Sequence, residues 1–183
     1  QELVQMATEN AVETLAALRS QWQADTNRQS EALAELQSAL NLTEAPNRIE
    51  CYDISNTQGV ASVGSMVVFE QGVPAKRLYR HFNIKTVEGP NDFDSMEEVL
   101  TRRFNRWQAA QDSKAVGQKF DEAFAMLPDL LMVDGGKGQL GRAVAVLERF
   151  NLMGRVPVVG LAKQNEELFL PGHSHSLLLP RNS

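Results

Sequence analysis

Two aspartates stand out because the segments around them have the composition of buried strands. Asp53 lies in Arg-Ile-Glu-Cys-Tyr-Asp-Ile-Ser at 48–55, and Asp134 ends the apolar run at 128–134. An unpaired buried charge is very costly, so each carboxylate must be exposed at a strand end, paired, or bound to a cation. Carboxylate oxygens suit Mg²⁺ or Mn²⁺, and such a site can activate water and stabilise an in-line phosphoryl displacement.

The residues alone leave other roles open for both aspartates. Asp53 could cap a turn together with Thr57, and Asp134 could be a turn or helix-cap residue before Gly135 and Gly136. Ligands in α/β folds bind at the carboxyl ends of parallel strands. If the two strands are neighbours in one sheet, both carboxylates project into the same crevice.

The elements that would position these carboxylates are strands with helices between them. Residue patterns predict strands at 48–55, 61–70, 76–85, 128–134 and 156–161, followed by a hairpin at 167–179. A helix follows the third strand, where Ser95 and Glu98 have the spacing of a capping box, and another follows Asp134. This order predicts an α/β fold, in which a three-strand antiparallel meander and parallel strands form a mixed sheet flanked by helices.

An N-terminal helical segment precedes these strands. Leucine and alanine recur at helical spacing over 1–20 and again from about residue 30, with the polar stretch 21–28 between them. The pattern predicts two helices joined by a turn, and Pro46 closes the second. We therefore expect a helical segment at 1–47 and the main domain at 48–183.

Length and composition indicate a globular protein whose hydrophobic core is large enough for one ordinary domain. The chain has 183 residues, 43% of them hydrophobic, and a formal net charge of -5. It lacks an apolar run of membrane-spanning length and has a single cysteine, Cys51, which fits a reducing cytoplasm. The net negative charge argues against a protein whose whole surface is basic and binds nucleic acid, but it is compatible with a local basic face.

Several other side chains are candidates for binding. A phosphate-contacting face could use Arg102, Arg103 and Arg106 in the helix after the meander, with Lys137 in the glycine-rich turn, although a solvated face is the alternative. Gly-Gly-Lys-Gly at 135–138 also suggests a nucleotide phosphate loop, but it lacks the Ser or Thr and the upstream glycine of the Walker pattern. The histidines at 81, 173 and 175 read as surface residues.

Six motifs follow one another along the chain: Ile-Glu-Cys-Tyr-Asp-Ile-Ser-Asn-Thr-Gln-Gly at 49–59, Ser-Met-Val-Val-Phe at 65–69, Val-Glu-Gly-Pro-Asn-Asp-Phe at 87–93, Leu-Thr-Arg-Arg-Phe at 100–104, Val-Asp-Gly-Gly-Lys-Gly-Gln at 133–139 and Gly-Leu-Ala-Lys at 160–163. Together they resemble the C-terminal half of the UvrC family, the incision subunit of the bacterial nucleotide-excision repair excinuclease. The resemblance implies an RNase H-like fold and metal-dependent incision of damaged double-stranded DNA on the 5′ side of the lesion, together with UvrB and, upstream, UvrA.

The resemblance also implies roles for particular residues. Asp53 and Asp134 fall on the family's catalytic, metal-binding aspartates, and Asp92 falls on a further aspartate implicated in the incision. The family continues past the Leu-Leu-Pro-Arg-Asn-Ser stretch into a helix bearing an acidic residue and a histidine. We therefore expect the 48–183 domain to lack its final helix and to cleave weakly or not at all by itself. A non-catalytic RNase H-like scaffold that binds DNA or a repair partner is the alternative.

Overall fold

The computed structural model describes residues 2–55, 62–87, 89, 91–162 and 167–178, with side chains from residue 14 onward. The chain divides into two compact units, Gln1–Ala45 and Pro46–Ser183. In the part of the chain that is described, none of the helices is both long and apolar enough to cross a membrane.

The first unit contains one long helix, α1 (Glu2–Ala39), where the sequence predicts two. The expected turn at 21–28 is wrong, because this stretch is polar but contains neither glycine nor proline. Helical hydrogen bonding continues through it, and the Thr26 hydroxyl donates to the Trp22 carbonyl one turn earlier, at 2.8 Å. The helix ends where Asn41 adopts a left-handed backbone conformation, a common way for a helix to stop.

Within its described residues, the second unit contains one sheet and three α-helices. Its strands are β1 (Arg48–Ser55), β2 (Val63–Glu70), β3 (Val73–Pro74), β4 (Arg80–Asn83), β5 (Leu130–Asp134), β6 (Val158–Ala162), β7 (Glu167–Phe169) and β8 (Leu177–Leu178). Its helices are α2 (Asp92–Ala115), the single turn α3 (Glu122–Ala125) and α4 (Lys137–Arg149).

The strand order confirms the predicted mixed sheet. The eight strands follow the order β3-β2-β1-β5-β6-β7-β8, with β4 also paired to β2. β1, β5 and β6 run parallel, whereas β1, β2 and β4 form the antiparallel meander. The third strand of that meander is shorter than predicted, because a 3-10 turn at Lys76–Leu78 interrupts the chain and buries Leu78.

Helices α2 and α4 pack on one side of the sheet, which we call the helix face. Side chains alternate along a strand, so Tyr52, Met66 and Val133 enter the core beneath the helices. Cys51, Asp53 and Ser65 occupy the intervening positions and lie on the reverse face. Each of these three is partly exposed.

The start of α2 differs from the predicted capping box. Its N-cap is Asn91, whose side-chain oxygen accepts a hydrogen bond from the Asp94 amide. Ser95 is buried inside the first turn, and the Glu98 carboxylate instead accepts from the Lys85 and Thr86 amides. Glu98 therefore ties the loop before α2 to the helix.

Candidate active site

Asp53 and Asp134 directly follow the last register pair between β1 and β5. β1 and β5 are parallel neighbours in which Tyr52 is paired with Val133, so the next positions in register are Asp53 and Asp134. Neighbouring strands lie about 4.8 Å apart, and residues in register point to the same face. The two carboxylates, which we call the carboxylate pair, therefore share the reverse face at the carboxyl ends of two parallel strands.

The neighbouring Cys51 thiol supports this placement of Asp134. Its pKa is raised from 9.0 to about 11, chiefly by burial, and then by the negative charges of Glu50 and Asp134. Asp134 therefore lies close enough to act electrostatically on the reverse-face residue of the next strand. The raised pKa also keeps the thiol protonated at neutral pH, which argues against Cys51 as a nucleophile.

Local contacts fix the two carboxylates in different ways. The Ser55 hydroxyl donates to Asp53 Oδ2 at 2.9 Å, from the next position on the same face of β1. Asp134 is fixed through its backbone, because the Gly135 amide donates to the Leu161 carbonyl in β6 at 2.9 Å. Gly135 has φ +150°, and a β-carbon at Gly160 would lie 2.8 Å from the Gly135 oxygen. Both glycines are needed for this close turn.

Asp92 lies on the helix face, near the strand ends that carry the carboxylate pair. It is the first residue of α2, and the ring of Phe93 lies against Gly138 in the first turn of α4. That turn follows Asp134 directly, so α2 begins beside the strand end that carries the carboxylate pair. A carboxylate in the first turn of a helix is also favoured by the helix dipole. The catalytic role of Asp92 stays a prediction.

The donor set of the carboxylate pair fits a hard divalent cation such as Mg²⁺ or Mn²⁺. Over the described ranges, no group of three or more His, Cys, Asp and Glu side chains is arranged to hold a metal. Mg²⁺ commonly binds through one or two carboxylates while keeping several waters, so two protein ligands suit it.

Arg103 must be removed from the predicted DNA-binding residues. Its side chain is fully buried, and its guanidinium donates to Glu50 Oε1 at 2.8 Å and to Glu50 Oε2 at 2.9 Å. Arg48 and Tyr52 bond to the same carboxylate, at 2.8 and 2.6 Å. Burial raises the pKa of Glu50, but these charges and hydrogen bonds outweigh it and hold the pKa below its usual value.

Helical spacing could have revealed the burial of Arg103. It lies four residues after Val99 and seven after Met96, in the same stripe of α2 as the core residues. Sequence reasoning grouped it with its neighbours as an exposed cation. The structure shows instead that it ties α2 to β1, the strand that carries Asp53.

The other predicted DNA contacts lie in two places. Lys137 is exposed at the start of α4, and its ammonium donates to the Ser174 carbonyl at 2.8 Å. Arg102 bonds to the Asn83 carbonyl and to Glu98, whereas the exposed Arg106 guanidinium stacks 4.8 Å from the Phe124 ring centroid. At 1.5 Å per residue, Arg102 and Arg106 lie about 15 and 21 Å from the start of α2 along its axis.

Comparison with known proteins identifies the family. The family model described as the UvrC RNase H endonuclease domain matches residues 37–183. The UvrABC system protein C of Dehalococcoides mccartyi strain CBDB1 is 46% identical over 182 residues, covering all of this chain and 28% of that protein. The protein of the same name from Clostridium novyi is 44% identical over 169 residues, covering 90% and 27%. The chain belongs to the UvrC RNase H endonuclease domain family.

The chain therefore spans little more than a quarter of the length of these relatives. Among solved structures, human ENDOV is similar with a TM-score of 0.43 and 14% identity, over 79% of this chain and 58% of that one. A catalytic-domain structure of human Endonuclease V gives a TM-score of 0.40 and 16% identity, with coverage of 80% and 58%.

Proposed function

We propose that this domain is the endonuclease that cuts the damaged strand of double-stranded DNA on the 5′ side of a lesion during nucleotide excision repair. The β1–β5 register supports this proposal, because Tyr52 is paired with Val133 and the residues that follow them, Asp53 and Asp134, come at the ends of parallel strands, where α/β folds bind ligands. Family membership supports the reaction class.

In this proposal, Asp53 and Asp134 hold Mg²⁺ or Mn²⁺, which when bound supplies an activated water and stabilises charge on the phosphoryl oxygens. Ser55 holds the Asp53 carboxylate in orientation. The turn at Gly135 keeps Asp134 at the strand end. Asp92 contributes a third carboxylate from the start of α2.

Three cations outside the carboxylate pair would supply DNA contacts, of which Lys137 and Arg106 are exposed and Arg102 is half-buried. Lys137 lies three residues after Asp134 and would bind a phosphate near the cut. Arg102 and Arg106 would bind the backbone farther along, at about 15 to 21 Å from the start of α2. UvrB and, upstream, UvrA would deliver the damaged DNA to this domain in the cytoplasm.

Metal binding tests the proposal without depending on turnover. We expect Mn²⁺ to bind the 183-residue chain in isothermal titration calorimetry, and Asp53→Asn or Asp134→Asn to weaken that binding at least tenfold. Asp112→Asn is the matched control, because Asp112 is an exposed aspartate in α2. The same Mn²⁺ affinity in all four proteins would contradict the proposed site.

Incision separates catalysis from the scaffold alternative. A chain extended to the full length of its relatives and supplied with UvrA and UvrB should cut a 5′-labelled lesion duplex, and it should lose the 5′ cut when Asp53 or Asp134 is changed to Asn. Retained DNA binding in those variants would confirm that the loss lies in chemistry. Equal cutting by the variants would remove both residues from the mechanism.

A further inference from the structure

The carboxylate pair belongs to a longer line of polar side chains across the sheet. Asp53 is paired with Ser65 in β2, and Ser65 is paired with His81 in β4. With Asp134 on the other side, the order across four neighbouring strands is Asp134, Asp53, Ser65 and His81. We call these four residues the polar row.

All four members of the polar row lie on the reverse face. Directly paired residues point to the same side of a sheet, and the alternate residues Tyr52, Met66 and Phe82 enter the core on the helix face. The Ser65 hydroxyl and His81 Nδ1 are 3.4 Å apart, which places both side chains on one side. The His81 ring is exposed.

The rest of the reverse face has a different character. The neighbouring row in β1 and β2 pairs Cys51 with Val67, and the next pairs Ile49 with Phe69. The polar side chains are thus confined to the end of the face that holds the carboxylate pair. Ser65 and His81 are therefore polar residues grouped beside the carboxylate pair and are not spread evenly over the surface of the sheet.

His81 is too far from Asp53 to share its cation. Two strand spacings separate them, about 10 Å, whereas ligands of one ion lie about 2 Å from it. Successive phosphates of one DNA strand lie about 3.4 Å apart along the helix axis and roughly twice that through space, so 10 Å reaches a phosphate one or two nucleotides away. His81 is therefore at the right distance for a backbone phosphate close to, but distinct from, the one above the carboxylate pair.

A hydrogen bond donated by the Ser65 hydroxyl would fix which ring nitrogen of His81 carries the proton. When Ser65 donates to Nδ1, the neutral ring carries its proton on Nε2, and that N–H is available to an outside acceptor. Phosphate oxygens accept such hydrogen bonds, and serine hydroxyls are themselves common phosphate contacts.

We propose that Ser65 and His81 form a phosphate-binding extension of the carboxylate pair, which holds the DNA strand about one or two nucleotides from the cut. His81 donates from Nε2 to a phosphate oxygen, and Ser65 is a positioning residue that sets the ring. This inference rests on the proposed nuclease function for its ligand, but its test needs neither metal nor cutting.

DNA affinity of the 183-residue chain, measured by fluorescence anisotropy in EDTA, is the first test. A labelled single-stranded oligonucleotide and a labelled duplex serve as probes. We expect His81→Ala to weaken binding about tenfold, the loss of one hydrogen bond to a charged group. His81→Gln keeps an N–H donor and should recover part of the affinity, whereas Ser65→Ala should lose about threefold. His175→Gln is the matched control, because His175 is an exposed histidine in the β7–β8 turn.

Side-chain nitrogen NMR of the histidines is the second test, with His81→Gln used to assign the signal. Added DNA should shift the His81 nitrogens, and Ser65→Ala should change their tautomer signature in the free protein. Unchanged affinity in His81→Ala together with unshifted His81 signals would overturn the proposal. Shifted His81 signals in a chain that fails to bind Mn²⁺ would refute the proposed nuclease site while leaving this phosphate contact in place.

Discussion

Replacing Arg103 with methionine should destabilise the domain far more than the same change at Arg106. Arg103 and Glu50 are both fully buried, and two hydrogen bonds of 2.8 and 2.9 Å join them. Methionine leaves the Glu50 carboxylate with Arg48 as its one remaining cation, and it also removes the donors to the Phe124 and Met126 carbonyls.

The expected loss of unfolding free energy follows from how deeply each arginine is buried. Removing one partner of a buried ion pair costs about 3–5 kcal/mol when the remaining charge is left uncompensated, and we expect the lower end of that range here because Arg48 still pairs with Glu50. Arg106 is exposed and stacks on Phe124, and an exposed cation–π contact contributes about 0.5–1 kcal/mol. We therefore expect a difference of at least 2 kcal/mol between the two variants, as estimated from those ranges.

Urea unfolding followed by circular dichroism measures both free energies in the 183-residue chain. The double variant Arg103→Met with Glu50→Leu should lose less stability than the two single variants together, because Arg103 and Glu50 contact each other directly and each single change removes the same interaction. If Arg103→Met costs no more than Arg106→Met, or if the double variant is less stable than the sum of its parts, the account of this network is wrong.

Three further outcomes follow from pKa values and close contacts. The pKa of Glu50 is lowered in the folded chain, so the ionised carboxylate stabilises the fold above pH 4.5 and this contribution is lost as the pH falls below that value. The difference in urea midpoint between the wild type and Glu50→Gln should therefore become smaller below pH 4.5. Gly160→Ala should destabilise the domain and weaken Mn²⁺ binding, because the added β-carbon would clash with the Gly135 oxygen. At Gly141 in α4 an added β-carbon has open space, so Gly141→Ala should stabilise the domain by about 0.5–1 kcal/mol. Alkylation of Cys51 by iodoacetamide should be slow at pH 8 and keep accelerating above pH 9, since its pKa is about 11; a plateau near pH 9 would contradict the burial of this thiol.

Local patterns succeeded where a segment's own residues settle its conformation. The apolar run before Asp134 and the glycines after it predict a buried strand and a sharp turn into a helix, and β5 and α4 confirm both. The same method was wrong at 21–28, because polarity there reflects solvent exposure along α1 and does not indicate a break in the helix.

The identity of buried charges was harder to predict from single residues. Arg103 carries the same side chain as Arg102 and Arg106, and only its place in the Met96–Val99 stripe distinguishes it. Its partner Glu50 lies 53 residues earlier in another element. Pairing over that distance depends on how α2 packs on β1, which no short pattern encodes.

By itself, the sequence determined the order of the main strands and helices after residue 48, the two aspartates near strand ends and the family motifs around them. The tertiary structure decided which strands are neighbours and in what register. Backbone hydrogen bonds in a sheet are alike for every residue, so the register follows from the packing of whole faces. That packing aligned Asp53 with Asp134 and placed Ser65 and His81 beside them, although these four residues come from distant parts of the chain.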